Sequence, residues 1–317
     1  KTFKYKMKYP IYFDPKKSLN LFGFSDEFNL LKKLYIKKKL PKVLMLSGRK
    51  GSGKSTLINH LMYYIFDNVN YEENNFELKN QSNFYNLFLN NIFSNVIYID
   101  GSDYKNTKIK NIRFLKKKIY QTSILDKPRF TIFDDVELFN NSSLNALLKI
   151  IEEPSKNNHF VLINNKSQPL LDTIKSRCLN INIILNEHKR KIILESLIKK
   201  LNVDLVIDPI KSQLTPGNFI KFNYFFEENK ISTNDDYLKN LGNLLNLYKK
   251  DKQIIFIDLI LFLTNSYFDN LNNKKLFTNE KIVEYKRFVF ENINKFFLYN
   301  LNQNALLNTI NIKINEK

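Results

Sequence analysis

Short apolar runs separated by helical patterns cover the first 186 residues of the chain. The runs have the length of buried strands and lie at residues 43–46, 96–99, 130–133, 160–163 and 181–185. Apolar residues at three- and four-residue spacing predict helices between them, over residues 25–35, 57–66, 109–122 and 144–152. Ser25 and the triplet Asn141-Ser142-Ser143 are the predicted caps of two of these helices. Such alternation favours a parallel α/β sheet domain.

Two regions depart from this alternation. The Asn-rich stretch 67–95 is predicted to be a surface insertion, partly helical from Phe84 to Phe93. From His188 onward every pattern is helical, with predicted helices at 188–201, 219–226, 237–248, 253–267 and 279–301. Thr215-Pro216-Gly217-Asn218 breaks this region once, and residues 231–236 have the composition of a linker. We therefore expect three domains, at 1–186, 187–230 and 231–317.

Composition and charge indicate what kind of partner the protein has and in which cellular compartment it is expected. The net charge of +19 comes mostly from lysine and favours a polyanionic partner such as nucleic acid, although a general Lys- and Asn-rich bias explains it equally well. The single cysteine, Cys178, excludes an internal disulfide and a cysteine-based zinc cluster. Residues 1–9 lack the apolar core of a signal peptide, and the run 254–263 is interrupted by Asp258 and too short to span a bilayer. A soluble cytoplasmic protein is expected.

The sequence G-R-K-G-S-G-K-S at 48–55 lies between the first predicted strand and a predicted helix. This context is the one that a phosphate-binding loop (P-loop) requires, because glycines let backbone N–H groups approach phosphate oxygens at a helix N-terminus. Lys54 can reach the β- and γ-phosphates of ATP, and the Ser55 hydroxyl can ligate Mg²⁺. The predicted nucleotide-binding residues are Gly48, Gly51, Ser52, Gly53, Lys54, Ser55 and Thr56. The alternative is a glycine-rich turn that binds nothing.

Polar side chains follow two further strands. Asp134 and Asp135 end the run at 130–133, where Asp134 would hold Mg²⁺ through water and Asp135 would orient or deprotonate an attacking water. The alternative is an acidic turn that caps a helix. Asn165 follows the run at 160–163, and its amide can place a water beside a γ-phosphate, although alone it is more typical of a turn.

The order of the motifs resembles one family. After the loop and F-D-D-V-E-L at 133–138 come N-A-L-L-K-I-I-E-E-P at 145–154 and S-R-C at 176–178. Together with L-F-G at 21–23 and I-D-G-S at 99–102, this resembles the bacterial DNA polymerase III clamp loader, within the AAA+ ATPases. The resemblance covers residues 20–186 and matches the remainder in layout only. It implies a P-loop AAA+ domain at 1–186, a helical lid at 187–230 and a helical collar at 231–317.

The resemblance also implies roles and partners. Arg177 would act in trans on the ATP of a neighbouring subunit, and Asn165 would be the first sensor. The implied cofactors are ATP and Mg²⁺, and the implied partners are the gamma/tau and delta subunits, the sliding clamp and primer–template DNA. Zinc is not expected, because the cysteines that bind zinc in many loader subunits are absent. A membrane partner is not expected either.

Two further departures bear on the kind of subunit. Asp135 is shorter than the family's glutamate, and Ile220 stands where the motor subunit has an arginine, with Lys221 adjacent. No tau-like extension is expected beyond the collar. These features favour a delta-prime-like subunit with weak or no hydrolysis. The alternatives are a gamma/tau-like ATPase motor and a free-standing AAA+ DNA-dependent ATPase.

Overall fold

The computed structural model describes residues 9–79, 82–101, 127–154, 157–232, 236–275 and 277–315. The chain divides into two compact units, one formed by residues 1–202 with 214–218 and the other by 203–213 with 219–317. The helical segment at 187–202 is thus counted with the first unit. The division into three domains stays a prediction.

A five-stranded parallel sheet forms the centre of the first unit. Its strands are β1 (Val43–Ser47), β4 (Val96–Asp100), β5 (Arg129–Asp134), β6 (Asn158–Asn164) and β7 (Leu179–Asn182), while β2 (Tyr71–Glu72) and β3 (Glu77–Leu78) form a separate antiparallel pair. The order in the sheet is β4-β5-β6-β1-β7. Register pairs Ser47 with Asn164 and Asp100 with Asp134, so the carboxyl ends of the strands meet at one edge.

Helices cover both faces of this sheet. They are α1 (Ser25–Ile36), α2 (Lys54–Phe66), α3 (Asn83–Leu89), α4 (Asn141–Glu152), α5 (Asp172–Lys175) and α6 (Glu187–Leu201). Leu57 and Leu61 of α2 are buried in one apolar cluster, and Leu144 and Leu147 of α4 in a second cluster. The predicted parallel α/β fold is confirmed. The helix predicted at 109–122 lies outside the described residues.

Several predicted boundaries are wrong by a few residues. Helix α1 begins at Ser25 with Phe24 as its N-cap, and the cap of α4 is Asn140, whose side chain accepts a hydrogen bond from the Ser143 amide at 2.8 Å. Strand β7 spans 179–182 rather than 181–185, because its partner β1 ends at Ser47, opposite Asn182.

The stretch predicted to be a surface insertion contributes to the core instead. Tyr71, Leu78, Phe84 and Phe88 are buried in the same cluster as α2, and the ring of Phe88 lies 5.6 Å from that of Tyr63, centroid to centroid. The aromatic residues of this segment therefore form a hydrophobic cap over α2. Helix α3 ends at Leu89, before the predicted end at Phe93.

All the regular secondary structure among the described residues of the second unit is helical, and residues 203–213 form turns and irregular chain. Its helices are α7 (Pro216–Glu228), α8 (Tyr237–Asp251), α9 (Ile254–Asn273), α10 (Asn279–Tyr299) and α11 (Gln303–Asn315), of which the first three residues of α7 belong to the first unit. The sequence patterns did not indicate α11. The hydrogen bond between Tyr237 and Thr264, at 3.0 Å, joins α8 to α9 inside the unit.

Helix α9 is longer than the apolar run that predicted it. The helix has 20 residues, and an 18-residue window of it has a mean hydropathy of 1.4, so the helix that contains the run could cross a membrane by length and composition alone. Its residues Phe256, Leu259, Ile260 and Leu263 are buried within the helical unit, and 33% of the 18-residue window is buried.

Candidate nucleotide-binding site

The predicted phosphate loop connects β1 to α2 at the carboxyl edge of the sheet. Gly51 and Gly53 have φ angles of +77° and +94°, a region that residues with a side chain rarely adopt. Ser52 is buried, and Thr56 lies half-buried in the first turn of α2. Local sequence therefore produces the conformation that the motif requires, with the start of α2 directly behind it.

A second segment holds the tip of this loop. The Thr215 hydroxyl donates to the carbonyl of Lys50 at 2.6 Å, and the Gly217 amide donates to the carbonyl of Gly51 at 2.8 Å. The sequence patterns indicated only a break at Thr215-Pro216-Gly217-Asn218. Its contact with the loop is a tertiary feature, which no periodicity could have indicated.

The Lys54 side chain lies inside the loop and is only 2% exposed. Its ammonium donates to the carbonyls of Gly48 and Arg49, both at 2.8 Å, and to the Ser52 hydroxyl at 3.3 Å. Burial lowers the pKa of Lys54 to about 8, against the opposing influence of Asp134, Glu137 and Asp135. The ammonium is therefore held among groups that a phosphate could replace.

Asp134 lies at the end of β5 and is bonded on both carboxylate oxygens. Its Oδ2 accepts hydrogen bonds from the Ser55 hydroxyl, at 2.9 Å, and from the Tyr98 hydroxyl, and its Oδ1 accepts from the Asp135 amide at 3.0 Å. Burial raises the pKa of Asp134 above its ordinary value and, together with the Asp134 charge, raises that of Tyr98 well above 10. Tyr98 is therefore a hydrogen-bond donor at neutral pH.

Asp135 adopts a left-handed conformation, with φ of +49°, directly after β5. Its Oδ1 accepts from the Asn165 amide side chain, and its Oδ2 lies 3.5 Å from the Lys50 ammonium. The structure therefore brings together both residues predicted to handle water. It adds Lys50 of the phosphate loop, which the sequence patterns had not singled out.

Glu137 is a further residue that the sequence patterns did not single out, and it is only 2% exposed. Its carboxylate accepts from the Asn165 amide, with both oxygens at 3.1 Å, and from the amide and hydroxyl of Ser167 at 3.2 and 2.7 Å. Glu137 thus fixes the segment after β6 that carries Asn165. The sequence offered one signal for this role. Glu137 lies between two apolar residues in V-E-L, which suggests burial, and a buried carboxylate needs hydrogen-bond partners.

The residues around Ser55 fit a magnesium ion. Mg²⁺ commonly uses one or two carboxylates, several waters and the phosphates of its substrate. Ser55 and Asp134 supply a hydroxyl and a carboxylate in contact with each other, beside Lys54. Within the described ranges, no group of three or more His, Cys, Asp or Glu residues could hold a metal without a substrate. The absence of zinc stays a prediction.

Arg177 lies near the amino ends of the strands, opposite to the end that carries the phosphate loop. It precedes β7 by two residues, and β7 begins opposite Leu44, near the amino end of β1. Its guanidinium donates to the Thr173 carbonyl and to Glu152 Oε1, both at 2.8 Å. Its side chain is 39% exposed. The structure therefore joins the E-E-P and S-R-C motifs and does not bring Arg177 into the chain's own phosphate loop.

A parallel sheet with a glycine loop after β1 and acids after β5 defines a P-loop protein of the AAA+ class. The family model described as "DNA polymerase III, delta subunit" matches residues 25–187, about half of the chain. The chain belongs to this family of clamp-loader proteins, as its motifs had indicated.

Curated relatives include two kinds of subunit. In Buchnera aphidicola subsp. Schizaphis graminum, the gamma subunit of DNA polymerase III is 29% identical over 159 residues, 49% of this chain and 44% of that protein. The delta′ subunit from the same source is 27% identical over 186 residues, 54% of this chain and 55% of that protein. The chain spans about half the length of these relatives.

Among solved structures, a gamma subunit-related protein from Thermotoga maritima matches with a TM-score of 0.49 and 20% identity, covering 90% of this chain and 97% of that one.

Proposed function

We propose that this chain is a delta-prime-like subunit of the DNA polymerase III clamp loader. It binds ATP with Mg²⁺ in its own phosphate loop and supplies Arg177 to the ATP of a neighbouring subunit. The observation that supports this proposal is the position of two groups on the same sheet, the phosphate loop and Arg177, which lie at opposite ends of its strands. The phosphate loop follows the carboxyl end of β1, and the exposed Arg177 lies near the amino ends of β1 and β7.

Nucleotide binding rests on Lys54, Ser55 and Asp134. The Lys54 ammonium exchanges its loop carbonyls for β- and γ-phosphate oxygens, which are stronger acceptors because they are charged. Ser55 and Asp134 hold the metal, Asp134 through water. Bound Mg²⁺ neutralises charge on the phosphates. Thr215 and Gly217 keep the loop tip in place while this exchange occurs.

Slow hydrolysis rests on Asp135 and Ile220. Asp135 is held by Asn165 on one oxygen and lies near Lys50 on the other, so its short carboxylate is engaged inside the protein. Ile220, at the position where the resemblance places a sensor arginine, is apolar and only 4% exposed. Both features favour a delta-prime-like subunit that binds ATP and hydrolyses it slowly.

A gamma/tau-like motor is the second candidate. The complete phosphate loop and the contact between Ser55 and Asp134 favour it, because a motor needs both. Gamma and delta′ subunits are both among the relatives, so the steady-state ATPase rate of the isolated chain is the discriminating measurement.

Partners and location follow from the same proposal. The chain assembles with gamma/tau and delta subunits through its helical collar and acts on the sliding clamp and primer–template DNA. Its charge of +19 suits the DNA. A soluble, cytoplasmic protein suits this role, because the relatives are subunits of DNA polymerase III. Residues 187–230 act as the lid in this scheme.

Reconstitution tests the proposal. The chain is mixed with gamma/tau and delta subunits, and loading of a labelled sliding clamp onto primed DNA is measured with and without it. We expect a stable complex, and loading that depends on this chain. A chain that neither joins the other subunits nor supports loading, but hydrolyses ATP with DNA on its own, would identify the free-standing ATPase instead.

A further inference from the structure

We infer that Tyr98 is a positioning residue for the carboxylate of Asp134, and that Lys16 holds the Tyr98 ring in place. This inference rests on the proposed function, because it concerns the Mg²⁺ that accompanies the nucleotide. Neither residue belongs to a motif on which the resemblance depends. Both are assigned from contacts within the first unit.

Strand register explains how Tyr98 reaches Asp134. Tyr98 of β4 lies opposite Ile132 of β5, and Ile132 and Asp134 point to the same face of the sheet because they are two residues apart. A side chain as long as tyrosine can therefore extend along the neighbouring strand to Asp134. Its hydroxyl donates to Asp134 Oδ2, the oxygen that also accepts from Ser55.

Lys16 comes from the short helical segment Pro15–Lys17, before the first strand of the sheet. Its ammonium lies 4.0 Å from the centroid of the Tyr98 ring and donates to Asn91 Oδ1 at 2.6 Å. The residue is only 8% exposed, and burying an ammonium is costly unless it finds partners. Its partners are the face of the Tyr98 ring, the Asn91 side-chain amide and, farther away at 5.7 Å, the Phe88 ring. Lys16 and Tyr98 therefore constrain each other.

The backbone of Lys16 is anchored as well. Its amide donates to Asp14 Oδ1 at 3.0 Å, and its carbonyl accepts from the Tyr63 hydroxyl on α2. The ammonium is therefore held by a fixed piece of backbone. This arrangement connects the segment before α1 with the metal-binding carboxylate through Tyr98.

Groups that orient a carboxylate which holds a metal, directly or through water, influence how tightly the metal binds. Removing such a partner typically costs about 10- to 100-fold in metal affinity. Without the Tyr98 hydroxyl, Asp134 Oδ2 keeps, among the described residues, only the hydrogen bond from Ser55, which is itself a predicted ligand of Mg²⁺. The orientation of the carboxylate then rests on the Asp135 backbone amide, which donates to Oδ1 at 3.0 Å, and Oδ2 has no donor in the described part of the chain apart from that predicted metal ligand.

The test compares nucleotide affinity with and without Mg²⁺ in the full chain. The dissociation constant of a fluorescent ATP analogue is measured in EDTA and at saturating Mg²⁺, and the ratio of the two is the Mg²⁺ enhancement. We expect Tyr98→Phe to lower the enhancement by about tenfold, with the affinity in EDTA unchanged within about twofold. Lys16→Met should lower it less, by about threefold, because it acts through the ring.

Tyr71→Phe is the matched control. It also removes one buried tyrosine hydroxyl, which is paired with His60 at 3.0 Å, and should leave the enhancement at the parent value. If Tyr98→Phe keeps the parent enhancement, or lowers both affinities equally, the inference is overturned. A parent protein that binds no nucleotide, or binds it equally well without Mg²⁺, would refute the proposed function, and this inference with it.

Discussion

The buried ammonium of Lys54 makes nucleotide affinity depend on pH. In the free protein, burial lowers its pKa to about 8, whereas phosphates in the loop favour the charged form and raise the pKa in the complex. Binding therefore takes up a proton where free Lys54 is neutral. Affinity is highest below about pH 8 and falls as the pH rises through that value.

The expected size follows from the charged fraction. With a pKa of about 8, about three quarters of Lys54 is charged at about pH 7.5 and about one tenth at about pH 9. If only the charged form binds phosphate, the dissociation constant rises about eightfold over this interval. Replacing Lys54 by Ala should weaken binding by roughly 10- to 100-fold and remove this pH dependence, since it deletes hydrogen bonds from a charged donor.

Calorimetric titration with ATP in EDTA measures both quantities, because buffers of different ionisation enthalpy report the proton taken up. Lys54→Met, which keeps most of the side-chain volume, is the matched control for Lys54→Ala. An affinity that is constant between about pH 7.5 and about pH 9, or one that Lys54→Ala leaves unchanged, would contradict the role assigned to this lysine.

Three further predictions concern turnover, DNA and stability. The isolated chain should hydrolyse ATP at well below about 1 s⁻¹; a faster steady-state rate would favour the motor subunit. DNA affinity should fall steeply between low and physiological salt because the chain carries +19, and a flat titration would show that the charge is compositional bias. Burial lowers the pKa of His60 to about 3 in the folded protein, below its ordinary value of 6.5. The free energy of unfolding is therefore unaffected by His60 above about pH 6.5 and decreases as the pH falls from there toward about 3. Urea unfolding should show a loss of about 2 kcal/mol at about pH 5 relative to about pH 8; the same loss in His60→Gln would exclude His60 as its source.

The sheet was predictable where strands are buried on both faces. Strands β1, β5 and β6 lie inside the sheet, so their sequences are continuous apolar runs with clear ends. Strand β7 lies at an edge, and Leu179 and Asn182 are exposed, so its apolar pattern did not mark its bounds. Those bounds depend on the length of β1, which is tertiary information.

The phosphate loop and the two acids were predictable because their chemistry requires particular residues at a fixed spacing. Tyr98, Glu137 and Thr215 were not, since each acts on a residue distant in sequence through a single side chain. The aromatic residues of the stretch 67–95 were misjudged for a related reason. Their irregular spacing fits no helix or strand face, yet tertiary packing buries them against α2.

The exposed guanidinium of Arg177 provides the most direct test of the central claim, that this chain completes a neighbour's ATP site. Arg177→Ala should leave the chain's own folding and ATP affinity nearly intact, because its guanidinium bonds, among the described residues, to Thr173 and Glu152 at the surface, and the substitution keeps the backbone hydrogen bond to Ile174. Glu152→Gln is the control for that contact, because it removes the ion pair with Arg177 and keeps the arginine.

The measurement is DNA- and clamp-stimulated ATPase activity of the complex assembled from unmodified gamma/tau and delta subunits and either parent or Arg177→Ala chain. Arginine fingers are worth roughly 10³ to 10⁵ in rate in related enzymes. We predict that the mutant complex assembles and loses most of the activity at the site that Arg177 completes, while the Glu152→Gln complex keeps it. Full activity in the Arg177→Ala complex would contradict the trans-acting role and with it the assignment of this chain as a clamp-loader subunit of this kind.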